Sequence, residues 1–359
     1  MKYMKSIVTE SVVNNVVARV EHYLPVDGYY VRRDEINIRG AIDNAGVNWQ
    51  AELKAELASL GYTLRVQQTG AMVHLNVYPS GNRIPWVNII LFIVTAISVS
   101  IVPGWFTSGK AIFTDLSIFL QWQKFAIPLL LILLFHEFGH YLAARYRGIR
   151  VSLPYFLPAP TLIGTFGAFI KSNSPFTSRR DLLEVGAYGP IAGFVVAVIV
   201  MAIALGDITY RQAPLNLPET GNLIEPLIMR ILEAIVWTHP SPEGYNIYFQ
   251  DNPMIFAAWV GLVVTALNLL PVGQLDGGHI VYALSPRYHY WISRITFAGL
   301  VGFGFYWEGW WFWAVMILFV IRFRHPPTLN DYEPLDRRSR WIGWTAIAIF
   351  ILTFSPAPF

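Results

Sequence analysis

The chain has 359 residues, of which 54% are apolar and only 14% charged, with a net charge of +3 and a mean hydropathy of +0.44. A soluble domain carries about 25% charged residues, so this composition sets aside an ordinary soluble protein and rules out disordered, collagen-like and coiled-coil chains. Cysteine is absent, which excludes disulfides, thiolate metal sites and a cysteine nucleophile; no basic run with interleaved aromatics marks a nucleic-acid surface, and the positive balance reads as basic loops beside a membrane.

Residues 1–83 read as a small soluble α+β domain. The stretch Met1 to Val26 is not expected to be a secretory signal, because Glu10 and Glu21 interrupt it. Val8, Val12, Val16 and Val20 recur every fourth residue, which predicts an amphipathic helix packed on its own domain. Tyr29 to Ile42 alternates enough to predict strands. Trp49 to Leu60 has helical spacing in Leu53, Leu57 and Leu60, with Gly61 as its C-cap. Tyr62 to Gln67 and Met72 to Tyr78 predict a hairpin around Thr69-Gly70. Nine Lys/Arg stand against eight Asp/Glu here, a balance normal for a solvated surface.

Residues 84–359 have another composition. A membrane span needs about 20 mostly apolar residues, and six stretches qualify: Ile84 to Gly109, Phe125 to Ala144, Val185 to Gly206, Asn252 to Leu275, Ile295 to Ile321 and Trp341 to Phe359. The expected fold is a polytopic α-helical membrane protein with about six transmembrane segments. Basic residues set its orientation. Residues 145–181 hold six Lys/Arg and one acid, whereas 207–253 hold two Arg and six acids. The first stretch is therefore expected in the cytoplasm and the second outside, which puts the N-terminus in the cytoplasm; the membrane is expected to be that of a prokaryotic cell. A single span over 295–321 would leave the basic stretch 322–340 outside. A broken or re-entrant helix around Gly302 to Gly309 would resolve that conflict.

The second apolar segment contains His136-Glu137-Phe138-Gly139-His140. On a helix, positions i and i+4 share a face, so both imidazoles reach one metal with Glu137 beside it as catalytic base. A charged group at mid-membrane costs about 2.5–3.5 kcal/mol, so an acid there is rarely idle. Catalytic zinc uses three protein ligands and keeps one position open, so one ligand remains to be found. Asp276 closes the fourth segment in the run Asn268-Leu-Leu-Pro271-Val-Gly-Gln-Leu275-Asp276-Gly277-Gly278-His279. It is either that ligand or an Asp-Gly-Gly turn at a helix end. His279 is either a ligand or an interfacial histidine. Glu184 and Glu308 flank or interrupt segments but stand alone. Gly277 and Gly278 are expected to let the backbone unwind, and Pro271 to break the helix one turn earlier.

HEFGH in one apolar segment and NLLPVGQLDGG in a later one resemble the site-2 protease family of intramembrane zinc metalloproteases, which pairs HExxH with N-x-x-P-x-x-x-L-D-G. The resemblance implies that His136, His140 and Asp276 bind one zinc ion, that Glu137 is the catalytic base, and that Asn268 lies near the scissile peptide. It implies a catalytic core over about 125–280, transmembrane proteins as substrates, and lipid as surroundings. The 46 residues from 207 to 252 are too few for the PDZ domain many relatives carry. Gly164-Thr165-Phe166-Gly167-Ala-Phe-Ile170 also resembles the family. It is read as a membrane-level strand that pairs with extended substrate, against a loop that merely packs on the core. Gly189 and Gly193 form a GxxxG pair, read as close packing inside the chain rather than dimerisation. The rival function is a zinc transporter or metal-gated channel; no internal repeat supports it.

Overall fold

The computed structural model describes residues 9–32, 35–42, 48–69, 72–79, 85–149, 151–172, 175–206, 211–212, 225–236, 245–246 and 252–357. Val8, Gly70 at the predicted hairpin tip, Ile84, most of 207–252 and Phe359 lie outside them. The chain divides into two compact units, 1–84 and 85–359.

The first unit contains α1 (Glu10–Glu21), β1 (Val26–Arg32), β2 (Glu35–Ala41), α2 (Trp49–Ser59), β3 (Tyr62–Thr69) and β4 (Met72–Pro79). The strands form one antiparallel sheet in the order β1-β2-β4-β3. The period of two decides which face is buried. Ile36 and Ile38 of β2 alternate inward, as do Val73, Leu75 and Val77 of β4. They pack with Val13, Val16, Val17 and Val20 of α1 and with Trp49, Leu53 and Leu57 of α2. Helix α2 stops where Gly61 takes φ +79°, the left-handed state that glycine adopts at little cost.

The second unit is mostly helical. Its elements are α3 (Trp86–Ser108), the short α4 (Ala111–Thr114), α5 (Leu116–Tyr146), the hairpin β5 (Tyr155–Pro158) and β6 (Thr165–Phe169), α6 (Arg179–Gly206), β7 (Arg211–Gln212), α7 (Leu227–Val236), β8 (Tyr245–Asn246), α8 (Pro253–Asn268), α9 (Asp276–Leu284), α10 (Pro286–Phe303), α11 (Gly309–Met316) with a π-helical turn Ile317–Ile321, and α12 (Arg337–Thr353). Three helices among the described residues are long and apolar enough to cross a membrane: α3 with 23 residues, α5 with 31 and α6 with 28. The other predicted segments are shorter. Helix α8 has 16 residues and α12 has 17. At 1.5 Å per residue α8 reaches about 24 Å, against a hydrocarbon layer of about 30 Å.

The run 295–321 is broken within the stretch Gly302 to Gly309 that the loop charges single out: α10 ends at Phe303 and α11 begins at Gly309. The Trp311 indole donates to Val301 O at 3.2 Å, tying the start of α11 back to the end of α10. Glu184 does not stand alone. Helix α6 starts six residues before the apolar run, because its first turns are neutralised by neighbours. Glu184 accepts from Arg180 Nε at 3.1 Å and from the Ser339 hydroxyl at 3.0 Å, and Arg147 Nε meets Asp181 at 2.6 Å. A buried carboxylate paired in this way escapes most of the penalty it would bear alone.

The core of this unit is built by α5, α6 and α8. Phe125, Leu129, Ile132 and Leu133 of α5 meet Ala197 and Met201 of α6 and Ala258 and Leu262 of α8. Small residues permit close approach. A Cβ on Gly261 would stand 2.8 Å from Ile132 Cδ1. The bundle thus holds the middle of α5, which carries His136, Glu137 and His140, against α6 and against α8, which ends at Asn268.

Candidate metal centre

His136, Glu137 and His140 sit on α5 with 3%, 5% and 6% of their surface exposed. Helix α8 ends at Asn268, before Pro271, as the steric demand of proline on the preceding residue requires. The chain then turns through Leu269 to Leu275 and restarts as α9 at Asp276. Gly273 makes that turn, with φ +53°. Gly277 and Gly278 were expected to unwind the backbone, but both are helical. Their role is clearance, because a Cβ on Gly277 would overlap the Leu269 carbonyl and one on Gly278 would stand 2.6 Å from Val272 O.

This turn returns Asp276 to α5. Its Oδ2 lies 3.3 Å from His136 Nε2 and 3.2 Å from His140 Nε2. The ligand atoms of the three residues all fall within 4.8 Å of one another. Two ligands on a tetrahedral zinc at Zn–N distances of about 2.0–2.1 Å stand about 3.3 Å apart, so this donor set fits the metal. Glu137 Oε2 is buried and has no hydrogen-bond partner among the described residues. A buried carboxylate oxygen is costly without a protic or cationic neighbour, and a metal with water beside His136 and His140 supplies both.

The surroundings aim the rings. His140 Nδ1 lies 2.7 Å from Val185 O on α6. A carbonyl only accepts, so Nδ1 carries the hydrogen, and the Nε2 lone pair is left to face Asp276. Gly189 and Gly193 lie on the same face of α6 and leave the room. A Cβ on Gly189 would overlap the His140 ring, and one on Gly193 would stand 3.0 Å from His136 Nδ1. In return, a Cβ on Gly139 would be 2.9 Å from Gly189 Cα. The GxxxG pair is thus used inside the chain, with the histidine rings seated over it. The spacing of those glycines was visible in the sequence; the Val185 carbonyl, a backbone atom, left no such signal.

Asn268 is at the centre, its Nδ2 3.2 Å from His136 Nε2. His279 is not part of the ligand group. Its Nδ1 lies 2.7 Å from His325 Nε2 instead. Thr165, Phe166 and Gly167 form the start of β6, with Gly164 just before it, and β6 pairs with β5 through Pro158↔Thr165 and Phe156↔Ala168. Gly164, at φ +74°, seats this hairpin on α3, where a Cβ would stand 2.7 Å from Val99 Cα. The Thr165 hydroxyl donates to Leu157 O at 2.7 Å and accepts from Gly167 N at 2.9 Å. Phe166 projects outward, 68% exposed. Among the described residues β6 pairs with no strand other than β5.

Two imidazoles, a carboxylate and an adjoining buried glutamate make a donor set of the metallohydrolase kind. The model of peptidase family M50 matches residues 124–303. That is half of the chain, and the chain belongs to this family. The match spans His136 to His140, Asn268 and Asp276. The probable zinc metalloprotease EGY2, chloroplastic, of Oryza sativa subsp. indica is 32% identical over 228 residues, covering 62% of this chain and 41% of that protein. The probable zinc metalloprotease EGY1, chloroplastic, of Arabidopsis thaliana is 30% identical over 257 residues, covering 67% of this chain and 45% of that protein. The chain thus spans less than half the length of these relatives. No solved structure matches it.

Proposed function

We propose that the protein is a zinc metalloendopeptidase that hydrolyses peptide bonds in or near transmembrane helices of other membrane proteins. The observation that carries this reading is the meeting of Asp276 with two histidines 136 and 140 residues earlier in the chain, beside a buried glutamate whose Oε2 has no hydrogen-bond partner among the described residues. His136, His140 and Asp276 would hold one zinc ion. When bound, zinc supplies a Lewis acid that lowers the pKa of water to about 7. Glu137 takes the proton of the attacking water and passes it to the leaving amine. Asn268, at the edge of the centre, is placed to hold the scissile peptide. Burial of His136, Glu137 and His140 limits how far bulk water screens these charges.

The metal assignment has a direct check. Removing zinc with a chelator should abolish cleavage of a model transmembrane substrate in detergent, and re-addition should restore it. Asp276→Asn should lower zinc occupancy at least tenfold, since an amide is a poor ligand for this cation. Full occupancy of that variant would mean that another residue completes the site.

Topology follows from charge. We read the described helices as about six membrane-embedded segments, with α10 and α11 as a re-entrant pair. The N-terminal unit and residues 145–181 then face the cytoplasm. The pair returns 322–340 to that same side, which removes the charge conflict. In support, Leu329 N donates to Phe176 O at 3.0 Å and Asn330 N to Thr177 O at 2.9 Å, so 322–336 shares an end of the molecule with the basic stretch.

A substrate helix hides its carbonyls in its own hydrogen bonds and must unwind to be cut. The free edge of β6 offers the unwound backbone a partner by strand addition. Gly167 sits at φ +91°, where proline cannot go, so Phe166 is the cleaner probe. Phe166→Ala disturbs no core packing. It should lower kcat/KM about tenfold, equivalent to about 1.4 kcal/mol of lost aromatic contact, with zinc content unchanged. Unaltered cleavage would remove the edge strand from the substrate path.

A further inference from the structure

Residues 322–336 lie beyond the family match, which ends at 303, and contain no helix or strand. They are nevertheless tied closely to α9, the helix that begins with Asp276. The segment opens at Arg322, whose φ of +63° is uncommon for a residue with a side chain. Its backbone runs against the turn before α9, where a Cβ on Gly273 would overlap the Arg322 carbonyl. Side-chain bonds then join the segment to this end of the unit, beside the backbone bonds of Leu329 and Asn330. His279 Nδ1 meets His325 Nε2 at 2.7 Å. The Tyr282 hydroxyl donates to Asp331 Oδ2 at 2.6 Å. Arg179 donates to Glu333 O at 2.9 Å and to Ala283 O, in α9, at 3.3 Å. The Tyr282 and His325 rings stack at 4.5 Å.

The direction of the histidine pair follows from its surroundings. His325 Nδ1 lies 2.5 Å from Pro326 O, and a carbonyl only accepts, so Nδ1 carries the hydrogen. Burial pushes the His325 imidazole down to about 4, so the ring is neutral at pH 7. Its Nε2 therefore accepts, and His279 Nδ1 donates. His279 and Tyr282 are three residues apart, as are Asp276 and His279, so all three lie along one side of α9. Helix α9 packs on α6 through Ile280 and Ala283, but it is only nine residues long and begins at Asp276, so a small rotation about its axis moves that carboxylate, and a liganding carboxylate tolerates little misplacement.

We propose that residues 322–336 are a strap that aims Asp276 at the two imidazoles, with His325 as its positioning residue. The inference rests on Asp276 being a metal ligand, and its test separates the two. The full chain in detergent, stripped of metal, is titrated with Co2+ while the visible d–d absorption is followed. Zn2+ affinity is measured by competition with a chelator. His325→Ala should weaken Zn2+ binding about tenfold, the low end of what losing a ligand's own outer partner does, because His325 acts on Asp276 only through α9, and should change the cobalt spectrum. His325→Gln, whose amide oxygen stands in for the accepting Nε2, should recover most of the affinity and the spectrum. A strap that only stabilised the fold would lower the melting temperature of the alanine variant and leave the spectrum alone.

If Asp276→Asn loses the metal while His325→Ala keeps wild-type affinity and spectrum, the strap is overturned and the metal centre stands. Wild-type affinity in Asp276→Asn overturns both. Should His325→Ala fail to fold, Tyr282→Phe, which loses only the hydroxyl bond to Asp331, replaces it. It should shift the cobalt spectrum in the same direction, and a wild-type spectrum overturns the strap.

Discussion

Glu137→Gln is expected to keep its zinc and to lose at least about 100-fold in cleavage rate, the lower end of what a positioned general base contributes. The expectation of retained zinc comes from the geometry. The three convergent ligand atoms belong to His136, His140 and Asp276, and none to Glu137. The expectation of a retained fold comes from burial. Glu137 Oε2 has no partner to lose among the described residues, and a neutral amide costs less to bury than a carboxylate. The measurement pairs metal content with turnover of a transmembrane substrate. Cleavage at the wild-type rate would take Glu137 out of the chemistry. Metal flux through liposomes that persists unchanged in the variant would favour the transporter reading instead.

The second large effect should come from a single methyl group. Gly189→Ala places a Cβ inside the His140 ring. The ring has little room to retreat, because its Nδ1 is held by Val185 O at 2.7 Å. Either α6 moves away from α5 or His140 leaves the centre, and both separate the ligands. Zinc affinity should fall about 100-fold or more, at the top of the range for lost outer support, and activity with it. Gly299→Ala is the control. It lies inside α10 with nothing within 4 Å of the added Cβ. Gly-to-Ala in a helix is ordinarily stabilising by about 0.5–1 kcal/mol, so this variant should melt no lower than wild type. A Gly189→Ala protein that binds zinc normally would show that the contact between α5 and α6 is looser than described.

Several parts of this arrangement were legible beforehand because their signal is local. The i, i+4 spacing of His136 and His140 needs only a helix. The alternation in β2 and β4 needs only a strand with one buried face. The end of α8 near Pro271 follows from backbone sterics. Other parts were not legible because they depend on partners distant in sequence. Glu184 has Arg180 one turn before it, but its second partner, the Ser339 hydroxyl, lies 155 residues later in the chain. Gly277 and Gly278 looked like hinges, whereas the positive φ belongs to Gly273 and the pair serves close packing. His279 was read beside Asp276 as a possible ligand, yet its partner is His325, in a segment with no periodicity to announce it. The apolar count over 295–321 does not show the break after Phe303, since tryptophan and glycine keep the composition apolar through the turn; the basic charge of 322–340 is the signal that points to it.

The glycines of α6 also bear on how that helix is held. Gly186, Gly189 and Gly193 fall within its first fifteen residues, and each lowers intrinsic helix preference by roughly 0.5–1 kcal/mol relative to alanine. A helix weakened at three nearby positions keeps its order through its neighbours rather than through its own propensity. Here those neighbours are the His136 and His140 rings and the α9 helix. The same omitted side chains that make room for the centre thus leave this part of α6 dependent on it, so helical order and ligand geometry are one cooperative unit.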